Sequence, residues 1–411
     1  MLDHFIEPPL YISLILDIGN YLVFFILFAI AREKELINTN LFALSGVLLL
    51  SPFFVNGFLI SWTQLPDQTK YLRMAQEIRA DFPFLANTNY CDGSIINYGE
   101  SREDCTYKTN FFDDEYKTKL PSLIFALSPL LSIESFKSIG FVNRALFIGT
   151  IVFLITRNYI PLYVKIFAIF SPSIIIYSSV SLRDSLVLVA LIWSLYFFFK
   201  KKYILLILAS LFLYIIKPQN LMIIFVLFYL IILLQNVKYK KFKVFHILLT
   251  IILIPTMVFF SDFVLEVVNE VKYGLFIEQN GFYNSVTGAE GFTPLVYSPE
   301  LPFYILRSAI SFLLSPMQNL SSSFHIIVFI EAIAIYALLF KNFFQDLHKK
   351  GTRTIAFIWI FIFFFNTSVY GLFIINDGAI SRYRIVMLFF MLIGYELHKA
   401  HYRNKHKLKK L

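Results

Sequence analysis

The stretch from Ser171 to Lys202, SPSIIIYSSVSLRDSLVLVALIWSLYFFFKKK, sets an Arg-Asp pair between two apolar runs and closes the second run with three lysines. Charges in hydrocarbon are costly, so Arg183 and Asp184 must lie at a membrane face or line a wet cavity. Lys200, Lys201 and Lys202 mark the cytoplasmic side, because basic residues flanking apolar spans stay inside. Arg183 and Asp184 are then expected towards the outer face, and the other apolar runs can be hung from this point.

Composition supports the same class. Of 411 residues, 58% are hydrophobic and 15% charged, with 48 phenylalanines, so apolar runs of about 20 residues read as transmembrane helices. The expected fold is an all-α polytopic membrane protein. The net charge of +9 could suggest nucleic acid in a soluble chain, but the lysines cluster beside apolar runs. Topology explains them, and no nucleic-acid partner is expected. The N-terminal MLDHFIEPPLY is acidic and lacks a basic n-region and a small-residue cleavage site, so no removable signal peptide is expected.

In chain order, residues 10–31 form the first span, with Arg32 and Lys34 inside and the N-terminus outside. Asp17 and Asn20 fall in that span, where packing against neighbours is the favoured reading. Residues 42–62 return to the outer face at Trp62, an interfacial anchor. The polar segment 63–119 carries both cysteines, Cys91 and Cys105. On an oxidising outer face they can form a disulfide closing a loop of about 15 residues, worth on the order of 3 kcal/mol. With no His or further Cys nearby, zinc is disfavoured.

Residues 120–133, broken by Pro129, are too short to span and read as an outer half-helix, which extends the first outer loop over 63–137. Further spans are expected at 138–156, 161–177, 185–199, 203–216, 219–235 and 244–260, with Lys238, Lys240, Lys241 and Lys243 inside. A second outer segment, 261–323, contains LPFYILRSAISFLLSPM with Arg307 and Pro316. Reading it as a full span would put Lys341, Lys349, Lys350 and Arg353 outside, so it is expected to be re-entrant or interfacial. Spans at 324–340, 354–375 and 383–398 complete about eleven helices in one transmembrane domain, 1–411, with a basic C-terminal tail in the cytoplasm.

Asp67, Arg144, Arg183, Asp184, Lys217, Arg307, Arg382 and Arg384 all fall near the outer face of this scheme. Taken singly, each cation is best read as a snorkelling side chain. As a set, on proline-broken segments such as Lys217-Pro218 and Arg307 to Pro316, they suit a phosphate, whose oxygens guanidinium groups grip bidentately. Asp67 heads the amphipathic run QTKYLRMAQEIR and is equally well read as an N-cap. Asp184 is assigned to the start of its helix, where a carboxylate suits the dipole. Glu331, inside a span, needs a buried partner or a proton. The aromatic-rich segment from Tyr273 to Tyr304 offers interfacial anchors first and sugar-stacking surfaces second.

The order of these features resembles the GT-C superfamily of integral-membrane glycosyltransferases. The likeness rests on the outer-loop LPDQTKYLRMAQEIR with Asp67, the half-helix KLPSLIFALSPLL and a span opening with Asn143-Arg144. It continues in the SPSIIIYSSVSLRDSL turn, a helix ending at Lys217-Pro218, and the closing RSAISFLLSP and SRYRIVMLF. The chain departs from the pattern in an extra span before the acidic loop and in a single acid where a pair is usual. The last two segments look like those of O-antigen and capsule repeat-unit polymerases.

The resemblance implies transfer of a sugar from a polyprenyl-(pyro)phosphate carrier at the periplasmic face of a bacterial inner membrane. Asp67 would be the base, and Arg144, Arg183, Lys217, Arg307, Arg382 and Arg384 would bind the lipid phosphate. The partners would be a polyprenyl-linked glycan donor and acceptor, the lipid bilayer and other polysaccharide-assembly proteins. No cofactor is expected, since the cations can supply the charge, and a divalent metal is left open. Two alternatives stand beside a polymerase: a GT-C transferase adding one sugar, and a transporter or flippase of lipid-linked sugars. A transporter would more often place its polar groups at mid-membrane beside broken helices. A structural membrane subunit would leave the arginines unexplained.

Overall fold

A computed structural model describes residues 10–59, 67–80, 116–133, 135–180, 182–235, 300–314, 323–349, 351–373 and 377–407, with 265, 266, 269, 295 and 296. All regular structure among these residues is helical. Cys91, Cys105, the span expected at 244–260 and most of the segment 261–323 lie outside the described residues. Five described helices are long and apolar enough to cross a membrane, or six if one bent pair counts as a single span. These helices are compatible with a multi-pass membrane protein. Four shorter apolar helices accompany these spans.

The chain divides into two compact units, Met1–Asn220 and Leu221–Leu411. The first begins with α1 (Leu10–Glu33), followed by α2 (Thr39–Leu48), α3 (Ser51–Phe54) and a π-helical turn, Val55–Leu59. Next come α4 (Asp67–Ala80), α5 (Tyr116–Leu127) and α6 (Phe136–Thr156). After these, α7 (Leu162–Phe170), α8 (Pro172–Ser179), α9 (Asp184–Phe199) and α10 (Tyr203–Ile216) complete the unit, and α11 (Pro218–Gln235) begins at its edge. The second unit contains α12 (Leu301–Leu314), α13 (Ser323–Leu347), α14 (Arg353–Phe373) and α15 (Asp377–Lys407).

The run expected as one span over 161–177 is two helices bent by 52°. Pro172 has no backbone N–H and sits at the first position of α8, while Ser171 turns extended and accepts from Ile174 N at 3.1 Å. The half-helix reading over 120–133 corresponds to α5, which ends before Ser128-Pro129. Asp17 and Asn20 are buried in α1 and hold the link that follows α5. The Asp17 carboxylate accepts from Ser135 Oγ at 2.8 Å and Ser138 Oγ at 3.1 Å, with Lys137 Nζ at 3.9 Å. Asn20 donates to Ser132 O at 2.9 Å and accepts from Leu131 N at 2.8 Å. From α4, Gln76 donates to Ile133 O at 2.7 Å and Arg79 to Leu130 O at 2.6 Å. Asp17→Ala removes the carboxylate that accepts from both serine hydroxyls and is expected to lower stability by about 1–3 kcal/mol, read as a lower melting temperature in detergent. An unchanged melting temperature would contradict this account of the link.

Candidate functional site

Helix length locates the site. Between Lys200–Lys202 and Arg183 runs α9, with 16 residues, and between the same lysines and Lys217 runs α10, with 14. At 1.5 Å per residue they rise about 24 and 21 Å, short of a hydrocarbon core of about 30 Å. If the lysines stood at one membrane boundary, Arg183, Asp184 and Lys217 would lie short of the other. Asn143 and Arg144 are seven and eight residues into α6, or about 10–12 Å along it.

Several chain breaks meet at this level. Asn143 Nδ2 donates to Val180 O at 2.8 Å and Leu182 O at 2.7 Å, just past the end of α8. Arg144 Nε donates to Leu48 O at 3.2 Å, the last carbonyl of α2, and Nη1 donates to Ser178 Oγ at 2.7 Å. Arg183 Nη1 donates to Ile216 O at 3.2 Å, the last carbonyl of α10. Lys217 Nζ lies 4.0 Å from Asp184 Oδ1, both side chains being buried. Asn56 Nδ2 donates to Ser179 O at 2.8 Å, and the Ser51 and Ser179 hydroxyls are 2.7 Å apart.

The bonds that reach backbone carbonyls share a physical reason. A helix that stops inside a bilayer leaves carbonyls no water can reach, and they carry the negative end of the helix dipole. A guanidinium from a neighbouring helix supplies both donor and charge. Arg79 does the same after α5, with Nη2 on Ser128 O at 3.3 Å and Leu130 O at 2.6 Å. In the second unit Arg384 is fully buried, and its Nη1 donates to Leu313 O near the end of α12 at 3.0 Å. Tyr336 OH donates to the same carbonyl at 3.4 Å.

The sequence-derived candidates therefore separate. Arg183 is half-buried and sits with Asp184 and Lys217. Arg144 is wholly buried, and its Nη2 has no hydrogen-bond partner among the described residues. Asp67 opens α4, but its side chain lies outside the described atoms. Arg307 is exposed on α12, and Glu331 is buried in α13. Arg382 and Arg384 are two residues apart on α15, about 200° around a helix, and so face different sides. Arg384 turns inward to α12, whereas Arg382 is half-buried against Tyr383. Among the described residues no group of three or more His, Cys, Asp or Glu could hold a metal ion.

Sequence reasoning did not single out Asn143 as a positioning residue or Tyr383 as a partner for Arg382. The signals were an Asn directly before a buried Arg and a Tyr directly between two arginines. It also missed the polar latch at the far ends of α13 and α15. There Lys399 Nζ lies 2.7 Å from Asp346 Oδ2 and 2.9 Å from Glu396 Oε1, and Tyr395 OH donates to Asp346 Oδ2 at 2.6 Å. No protein-family model matches the chain, and no curated protein or solved structure matches it.

Proposed function

We propose that the chain is a GT-C-type membrane glycosyltransferase acting at the periplasmic face of a bacterial inner membrane on polyprenyl-(pyro)phosphate-linked sugars, as a surface-polysaccharide repeat-unit polymerase. The observation that carries this reading is the recessed grouping of Arg183 and Lys217 where α9 and α10 end short of the membrane thickness. A lipid-borne phosphate sits at that depth, and a cation inside the bilayer margin attracts it more strongly than one in water. On this reading the chain has eleven spans, with the N-terminus outside and the C-terminus in the cytoplasm.

The chemistry balances with few parts. Asp67 takes the proton of an acceptor hydroxyl, the oxygen attacks the anomeric carbon, and the bond from that carbon to the phosphate oxygen breaks. The departing phosphate keeps the electron pair, and Arg183 and Lys217 offset its charge. The chain breaks at Ser171-Pro172 and Lys217-Pro218 favour one other reading, a carrier for lipid-linked sugars, since carriers place substrates beside broken helices.

Electrophoresis of surface glycan from cells lacking the gene separates these readings. A polymerase leaves one repeat unit on the lipid carrier, a single-sugar transferase leaves a truncated unit, and a carrier leaves finished lipid-linked glycan on the cytoplasmic side. Complementation with Asp67→Asn or Arg183→Ala is expected to cut glycan extension at least about 100-fold while inserted protein stays at the wild-type level. Wild-type glycan from either variant would remove that residue's assigned role, and wild-type glycan from the null strain would end the proposal.

A further inference from the structure

The ends of α6 and α9 meet, and the cations there are placed differently from the buried arginines. Each helix closes on a left-handed residue, Asn158 at φ 51° and Lys201 at φ 55°. Tyr159 N then reaches back to Leu154 O, and Lys202 N to Phe197 O, both at 3.0 Å. Backbone groups thus meet the last carbonyls, and no side chain is needed as a cap. Arg157 and Lys200 rest on rings instead. The Arg157 guanidinium carbon is 6.0 Å from the Phe153 centroid, and Lys200 Nζ is 5.7 Å and 5.9 Å from those of Tyr159 and Tyr196. Tyr196 meets Phe153 edge to face at 5.2 Å and Tyr159 at 6.0 Å, so both cations stand on one ring cluster. Trp193 extends it, 5.0 Å from Phe153 and 5.4 Å from Tyr196.

The charge here is not offset. Arg157, Lys200, Lys201 and Lys202 are exposed, and none holds a carboxylate among the described residues. Between Glu134 and Asp262 the sequence has a single acid, Asp184, at the opposite end of α9. Asp17 of α1 meets Ser138 of α6, and one turn on in both Tyr21 meets Phe141, so α1 and α6 run parallel and end on one side. The exit of α1, Arg32 to Glu35, alternates two bases with two acids and leaves the excess unchanged. Beside the cations the surface turns apolar, with Leu162, Tyr203 and Ile204 61–76% exposed.

We infer that the joined ends of α6 and α9 form a docking surface for anionic phospholipid, with Arg157 and Lys200 as ring-mounted contacts for its phosphate and Lys201 and Lys202 as outer ones. The inference is independent of the sugar-transfer reading. A cation held on an aromatic face keeps its charge and gives up part of its rotamer freedom before the anion arrives. Tyr and Trp rings suit the headgroup level, and the exposed apolar side chains suit acyl chains. Cations beside apolar side chains match an amphiphile, and an acidic peptide would use only the cations. Tyr159 acts through Lys200 and is a positioning residue.

Native mass spectrometry of the full-length protein in detergent, titrated with phosphatidylglycerol and separately with phosphatidylcholine of the same chains, tests this. Wild type should bind phosphatidylglycerol at least about tenfold more tightly. Arg157→Gln and Lys200→Gln are each expected to weaken that binding about fivefold and to leave phosphatidylcholine unchanged. Lys34→Gln, on the same side but between Glu33 and Glu35, should stay within about twofold of wild type. Tyr159→Leu should weaken phosphatidylglycerol binding about threefold, and Tyr159→Phe, which keeps the ring, should match wild type. A lower melting temperature for Tyr159→Leu with unchanged lipid binding would remove the ring mount. Equal affinity of wild type for the two lipids, or a preference that survives both Arg157→Gln and Lys200→Gln, overturns the inference. A loss in Lys34→Gln equal to that in Lys200→Gln overturns it too, since bulk surface charge would then be the cause.

Discussion

Alanine in place of Gly140 should destabilise the protein by at least about 2–3 kcal/mol, while alanine in place of Gly149, nine residues further along α6, should be neutral or stabilising by up to about 1 kcal/mol. The two positions differ only in what faces them. A Cβ on Gly140 would collide with Ser179 O at the end of α8, and nothing lies within 4 Å of one on Gly149. The obstacle at Gly140 is backbone, and that backbone is pinned by Asn143 on Val180 O and Leu182 O, Asn56 on Ser179 O and Arg144 on Ser178. Relief therefore means breaking several buried hydrogen bonds at once. Thermal unfolding in detergent of both variants checks the contrast, and similar melting temperatures for the two would show that α6 and α8 do not touch there.

Loss of the Lys399 ammonium is expected to have an effect of similar or greater size. It lies between the Asp346 and Glu396 carboxylates, and all three side chains are no more than 8% exposed. Lys399→Met leaves two buried acids without that cation, a change that costs on the order of 3–5 kcal/mol. Adding Asp346→Asn should recover part of the loss, because one of the stranded charges disappears while the amide oxygen can still accept from Tyr395 or Thr352. Additive losses in the double variant would mean that the ion pair is not what joins α13 to α15.

These expectations concern positions that look unremarkable in the sequence. Gly140 and Gly149 are both glycines in one apolar run, and only the approach of α8 distinguishes them. Lys399 belongs to a basic tail whose evident meaning is topological. Arg144, Arg183 and Arg384 were legible as cations near one face of a membrane protein, and their grouping with broken helices was legible too. Which carbonyl each one holds was not, because the broken end and the arginine that covers it are 33 to 96 residues apart.

The sequence alone pointed to an α-helical chain with apolar runs of membrane-spanning length, and the described residues carry five or six such helices. It also marked where helices stop, since proline removes the donor that would continue them. Only the tertiary structure decided what those stops pack against, that Arg382 and Arg384 part company across one helix, and that buried guanidinium groups close the carbonyls of other helices. The reason is that a bilayer demands a partner for every buried backbone group but leaves open which distant residue supplies it.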